Sequence, residues 1–439
     1  MSCSTAGECK NTSVDSQKPC DPESCKKTTS SQPRKRFVGR ANVSGAGGTT
    51  ASTSLVKNST RRPRIINQIP DEILNDEELN DVIAKTLPKN YNFEIHKSIW
   101  HIRKNNCKKI ALQMPEGLLI YACIISDIIE QFCGPDITTV VMGDVTYGAC
   151  CVDDFSAIAL GCDFLIHYAH SCLVPIDSIK IKVLYVFVTI EIDTDHVVKS
   201  FKKNFESGTR MAMVGTIQFN PTIHTLKERL LSEAGIVSTA PQIMPLSKGE
   251  VLGCTSANMS ADDYDMIMYI GDGRFHLESA MIHNPDIPAY RYDPYSRKLT
   301  REYFDQVEMV SVRKRAIQTA KNAKTIGLIL GTLGRQGNTA TLDMLQEKLQ
   351  KKGYETHIVL LSEIFPAKLA LFDGVDAWVQ VACPRLSIDW GYAFPKPLLT
   401  PYEAMVMMDE DRLEGNDYPM DYYGKDGYGR GKQPKREVA

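Results

Sequence analysis

The chain has no run of 18 or more consecutive apolar residues, and the strongest candidate, Val183 to Ile190, is only strand-length. A membrane-spanning helix is therefore excluded on sequence grounds. Charge of one sign is also missing: 51 Lys plus Arg stand against 53 Asp plus Glu over 439 residues, a net charge of −2. That balance rules out a wholly basic nucleic-acid coat. The amino-terminal residues have no apolar signal region, and Glu8, Asp15, Asp21 and Glu23 argue against a transit peptide, so the expected location is cytoplasmic. A C-x2-C knuckle and a Gly-Lys-Ser/Thr phosphate loop are both absent, which argues against a zinc ribbon and a nucleoside triphosphatase.

Cysteine, by contrast, is plentiful, with thirteen residues. In a reducing compartment this number favours metal or reactive roles over disulfides. The first 64 residues hold seven large apolar residues against nineteen Ser and Thr, and a local charge of +8, so they are read as a disordered basic tail. Cys3, Cys9, Cys20 and Cys25 in that tail receive no metal role. Residues 409–439, rich in Asp, Gly, Tyr and Lys, are read as a polar second tail.

Between the tails the chain repeats itself three times at a period of about one hundred residues. Each unit opens on a short apolar strand (Lys109 to Met114, Met211 to Thr216, Thr325 to Thr332) followed by a segment of helical period. These segments are Leu118 to Phe132, Thr222 to Ala234 and Asn338 to Lys352, with Gly235 and Gly353 stopping the second and third. Second strands follow at Ile137 to Met142, Ile236 to Ala240 and Thr356 to Leu361. Third strands follow acidic residues, at Asp163 to His170, Tyr264 to Gly271 and Asp376 to Cys383. Continuous apolar strands alternating with helices predict parallel sheets covered on both faces. The expected fold is therefore α/β, with three similar small domains over residues 93–200, 201–310 and 311–408; one larger doubly wound sheet is the rival.

The phasing selects cysteines. Cys150 lies 40 residues beyond Ile110 and Cys254 lies 42 beyond Ala212, each in the connection after a second strand, while Cys383 ends the third unit's third strand. All three fall at the carboxyl edge of a parallel sheet, where α/β folds bind ligands. Cys150 and Cys254 are each expected to precede a helix, whose positive end lowers a thiol pKa. Three convergent thiolates suit a 4Fe-4S cluster with one open iron, and zinc held by three thiolates and water is the rival. Cys151, Cys162 and Cys172 compete for the first position.

Two loops at the same edge are candidates for holding a small ligand. Gly271 to His276 offers close backbone approach and the Arg274 fork for a carboxylate; Gly331 to Gly337, containing Gly334 and Arg335, opens a helix as an anion nest. Both are equally readable as tight turns, and Arg274 as a docking residue for a protein partner. His167 and His170, three apart on a strand, are expected on opposite faces in a packing role.

Several of these segments, namely Gln113-Met114-Pro115-Glu116-Gly117-Leu118, Gly143 to Asp154 with its Tyr-Gly-Ala-Cys-Cys run, Tyr168 to Cys172, Gly271 to His276 and Cys383 to Asp389, closely resemble the diphthamide biosynthesis protein 1 family over roughly Phe93 to Met408. The resemblance implies three similar domains, each giving one cysteine (Cys150, Cys254 and Cys383) to a 4Fe-4S cluster. It also implies transfer of the 3-amino-3-carboxypropyl group of S-adenosylmethionine to a histidine of translation elongation factor 2. Diphthamide biosynthesis protein 2 is the implied heterodimer partner and a small zinc-binding protein the electron donor. Two alternatives remain: quinolinate synthase-like Lewis-acid chemistry on a similar three-cysteine cluster, and a non-catalytic scaffold subunit.

Overall fold

The computed structural model describes residues 69–430, Val145 excepted. The basic segment 1–64 with its four cysteines lies outside the described residues, as do residues 431–439. Among the described residues no helix is long and apolar enough to cross a membrane.

Three larger sheets follow one another along the chain, beside a two-stranded antiparallel pair of Tyr91–Asn92 with Thr189–Ile190. The first contains Lys109–Gln113, Thr138–Met142, Phe164–Tyr168 and Lys182–Val186, ordered second, first, third, fourth, with every pairing parallel. The third sheet repeats that order with Thr325–Gly331, Glu355–Leu361, Ala377–Val381 and Leu398–Leu399. The second sheet uses Arg210–Gly215, Val237–Thr239, Met266–Ile270 and Ala289–Asp293 in the same order and adds an antiparallel edge strand, Lys298–Glu302. The fourth strand of each unit and this edge strand are additions to the three strands legible in the sequence.

The burial pattern explains the apolar runs. Every residue of Phe164–Tyr168, Met266–Ile270 and Ala377–Val381 is buried, as strands covered on both faces require. The acid before each of these strands has a defined use. Asp163 accepts from the backbone N–H groups of Lys108 (2.9 Å) and Lys109 (3.1 Å). Asp265 accepts from that of Arg210 (2.7 Å), and Asp376 from those of Lys324 (2.8 Å) and Thr325 (3.0 Å). One carboxylate thus pins the amino end of the third strand to that of the first in all three units. Helices Ala122–Cys133, Asn220–Ala234 and Thr339–Lys351 connect the first and second strands. Gly235, at φ 67°, ends the second of them in the left-handed conformation that glycine adopts without strain.

The C-terminal expectation is corrected. Residues 409–430 are not a tail: Tyr418, Met420, Tyr422, Tyr423 and Tyr428 are buried within the core built on the third sheet. The segment is compact because its glycines admit close backbone approach; a Cβ on Gly427 would stand 2.2 Å from the Asp421 carbonyl oxygen. Its seat is ionic. Arg313, buried on the helix Gln306–Ala320, donates from Nε and Nη2 to Glu403 at 2.6 and 2.7 Å, and Glu403 also accepts from the Tyr418 hydroxyl at 2.9 Å.

Candidate three-cysteine site

Cys150 sits in a single 3-10 turn, Ala149–Cys151, beyond the first unit's second strand. Cys254 lies in an irregular loop of the second unit, and Cys383 caps the helix Pro384–Trp390 immediately after the third unit's third strand. The helix expected after Cys254 is therefore absent, and the cysteine at a helix amino end is Cys383. The three thiols lie close enough for each to respond to another's charge. Burial pushes the Cys254 thiol up to about 12, with the neighbouring Cys383 adding to the effect. The Cys383 thiol is also raised by burial, against the pull of Arg385. Cys150 is raised by its hydrogen bond with Cys151, by burial, and by the charges of Cys151, Cys383 and Cys254.

Thiols raised in this way stay protonated until a cationic group displaces the protons, and the soft thiolates that result select iron-sulfur or zinc chemistry. Among the described residues no three His, Cys, Asp or Glu side chains are grouped to ligate a single metal ion. A donor set made of sulfur alone suits an iron-sulfur cluster. Cys151 also borders the site: its hydrogen bond with Cys150 lowers its thiol to about 7 against burial, and its Sγ accepts from Gln336 Nε2 at 3.3 Å. Cys162 is buried in the first unit's own core, whereas Cys172 is exposed rather than a core thiol.

The third unit grips both other cysteine loops. Arg335 N–H donates to the Cys150 carbonyl at 2.9 Å, and its guanidinium forms a two-pronged pair with buried Asp154 at 2.8 and 2.6 Å. Arg385 Nη1 donates to the carbonyls of Gly253 (3.1 Å) and Phe275 (2.7 Å), and Nε bonds Asp389 at 2.9 Å. Glutamines complete the frame: Gln113 Nε2 donates to the Cys151 carbonyl and Gln380 Nε2 to the Cys383 carbonyl, each at 2.9 Å.

The ligand loops expected from sequence thus have other occupations. Gly334 and Arg335 hold the Cys150 loop and are not open to an anion. Arg274, with a half-exposed side chain, donates to the Tyr303 carbonyl at 2.7 Å and pairs with Glu302 and Glu278, so its donors serve the chain's own acids. Gly271, at φ 159°, packs under the Tyr269 ring. Gly334 carries a prediction. Its φ is +56° and a Cβ there would stand 2.5 Å from the Cys151 carbonyl carbon, whereas Gly353 has φ +91° and open space. Both alanine variants should lose roughly 1–2 kcal/mol to backbone strain. Gly334→Ala should also displace the Cys150 loop, lowering the unfolding midpoint further than Gly353→Ala; equal midpoints in urea titrations would reject that role.

The model of the diphthamide synthesis protein family matches residues 114–419. The chain belongs to the diphthamide synthesis family. The 2-(3-amino-3-carboxypropyl)histidine synthase subunit 1 of Yarrowia lipolytica is 92% identical over 441 residues, covering 100% of both chains. The protein of the same name from Saccharomyces cerevisiae is 58% identical, covering 93% of this chain and 98% of its own. Among solved structures, Dph2 from Pyrococcus horikoshii with a 4Fe-4S cluster aligns with a TM-score of 0.62 and 26% identity, over 75% of this chain and 93% of that one.

In this diphthamide synthesis chain the histidines depart from expectation. The first unit's third strand ends at Tyr168, and Ala169 at φ 65° turns the backbone so that the His167 and His170 rings meet, centroids 5.2 Å apart. His167 Nδ1 bonds Gln113 Oε1 at 2.8 Å, and His167 Nε2 and His170 Nδ1 are buried with no hydrogen-bond partner among the described residues. His276, from the second unit, lies near enough to affect His170. Burial and then the neighbouring charge, His276 for His170 and Arg385 for His276, lower both imidazoles to about 4.

These rings are neutral when folded, whereas the unfolded chain protonates them near 6.5. Their contribution to stability is therefore complete above pH 6.5 and is lost as pH falls from there toward 4. Thermal midpoints measured from pH 7 to 4.5 should decline less steeply in a His170→Asn, His276→Asn double variant than in the parent; identical slopes would refute this.

Proposed function

We propose that this chain is the subunit of a diphthamide-synthesis enzyme that holds a 4Fe-4S cluster on Cys150, Cys254 and Cys383. The reaction transfers the 3-amino-3-carboxypropyl group of S-adenosylmethionine to a histidine of translation elongation factor 2. The carrying observation is that three thiols, one from each unit, lie close enough for Cys150 to respond to Cys254 and Cys383, in a family whose relatives are named 2-(3-amino-3-carboxypropyl)histidine synthase subunit 1. When bound, such a cluster supplies an open iron site and one electron for cleaving a carbon-sulfur bond. The chain's own residues position and enclose it. Arg335 and Gln113 fix the Cys150 loop, Arg385 the Cys254 loop and Gln380 the Cys383 turn, while buried Tyr422 and Tyr423 keep water from the sulfurs.

The word subunit in the relatives' names supports a multi-subunit assembly, with diphthamide biosynthesis protein 2 as the partner proposed, a small zinc-binding protein as electron donor and the cytoplasm as location. The test is anaerobic purification with an iron count and visible absorption, followed by reductant and S-adenosylmethionine. One cluster per chain and methylthioadenosine as a product are expected when the partner is present. A loaded cluster without methylthioadenosine would turn the reading toward Lewis-acid chemistry, and full activity with an empty site would make this chain a scaffold.

A further inference from the structure

The segment 416–430 crosses the three-cysteine site as a strap. Its backbone runs antiparallel to the Cys254 loop: Ser256 N–H donates to the Met420 carbonyl at 2.8 Å and Tyr422 N–H to the Cys254 carbonyl at 3.2 Å, while Tyr423 N–H donates to Thr255 Oγ1 at 2.9 Å. Beyond the turn, the Tyr428 carbonyl accepts from Thr341 Oγ1 at 2.6 Å on the third unit. The strap therefore spans from one cysteine loop to the domain that carries another.

Two side chains on it have no structural explanation as packing alone. Tyr422 is buried and its ring lies close enough to the trio to feel the charges of Cys254, Cys383 and Cys150. Its hydroxyl has no hydrogen-bond partner among the described residues. A buried hydroxyl left unpaired costs roughly 1–3 kcal/mol, so a phenylalanine would be the cheaper residue if filling space were its task. The adjacent Tyr423 is buried too, in the core cluster against which Cys150 packs, and it lies close enough to respond to the Cys150 thiol. Two neighbouring tyrosines thus lie beside the cysteines, Tyr422 lining one small cavity with Cys254, and sulfur bearing negative charge is an acceptor.

We infer that the Tyr422 and Tyr423 hydroxyls donate hydrogen bonds to the sulfur of the bound cluster, making the strap the element that sets its reduction potential. The inference rests on the cluster reading given above. A donor aimed at sulfur stabilises the extra negative charge of the reduced state and raises the potential. Removing the hydroxyl lowers it. Both tyrosines are positioning residues, since they act through the cluster's environment.

The experiment compares the full anaerobic chain with Tyr422→Phe and Tyr423→Phe, each assayed for iron, for midpoint potential by redox titration, and for melting temperature after iron removal. For Tyr422→Phe, iron content should be unchanged and the midpoint more negative. The oxidised-to-reduced ratio at fixed potential should rise about tenfold, about 59 mV for one electron. The iron-free variant should melt no lower than the iron-free parent, because the lost oxygen had no partner. Should one variant come out empty, the potential of the other decides.

An unchanged potential in a loaded variant overturns the inference. So does a lower melting temperature of the iron-free Tyr422→Phe with an unchanged potential, which would assign the hydroxyl to a water in the cavity of about 20 Å³ beside Cys254 and Tyr422. A parent chain that binds no iron fails the cluster reading itself, and the inference with it.

Discussion

Cys150→Ala, Cys254→Ala and Cys383→Ala should each leave the anaerobically purified chain with a small fraction of its iron, whereas Cys151→Ala, Cys162→Ala and Cys172→Ala should keep most of it. Losing a group that merely supports a ligand costs metal affinity about ten- to a hundredfold, and losing a ligand costs more. The trio stands apart because Cys150 responds to the charges of Cys254 and Cys383, Cys254 to that of Cys383, and the three come from three different units. Cys151 is the demanding control, since it adjoins Cys150 but directs its sulfur to Gln336. Full iron in Cys254→Ala would sink the assignment. Iron retained by Cys150→Ala but lost from Cys151→Ala would shift the first ligand by one residue.

The second large effect concerns Arg313. Its side chain is 1% exposed and that of its partner Glu403 is fully buried, with the pair at 2.6 Å. Arg313→Met leaves a buried carboxylate without its counter-ion, which typically costs about 3–5 kcal/mol. Glu403 also accepts from Tyr418 and from the Thr400 backbone, so the damage extends to the strap. The urea midpoint should fall accordingly, and iron retention should fall with it. Adding Glu403→Leu should recover part of the stability by removing the stranded charge, but only part, because the Tyr418 hydroxyl and the Thr400 N–H then lose their acceptor. A single variant as stable as the parent would show that Glu403 takes up a proton at little cost.

The sheets were legible in the sequence because a strand buried on both faces writes itself as an unbroken apolar run, as Phe164–Tyr168 and Met266–Ile270 do. The aspartate before each such run was visible too, though its task of pinning two strand ends needed coordinates. The third unit's fourth strand, Leu398–Leu399, is too short to carry a period. The proposed trio of cysteines was picked out by phase and family resemblance, because its members lie too far apart for any local spacing rule. What stayed hidden joins distant segments. Arg385 looked like one residue of a Cys-Pro-Arg turn, and the tyrosines of the strap looked like a tail because glycine and aspartate between them mask a buried face. Ala169 shows the same limit at one residue: its left-handed backbone reverses the facing of His167 and His170, and alternation along a strand predicts the opposite.

On the proposed cluster reading, the distribution of the trio over three units also fixes the order of events during biogenesis. Cys150, Cys254 and Cys383 are separated by more than a hundred residues each, so an unfolded or half-synthesised chain presents lone thiols with no chelate effect. A zinc finger, with its ligands a few residues apart, binds metal as it folds. Here the three units must dock before any cluster has somewhere to go, and loading becomes a separate, later step. Because the unfolded chain then competes poorly for the cargo, nearly all of the binding free energy appears as added stability of the folded chain. The melting temperature of the intact chain under strict anaerobiosis thus becomes a direct gauge of how fully it has been loaded.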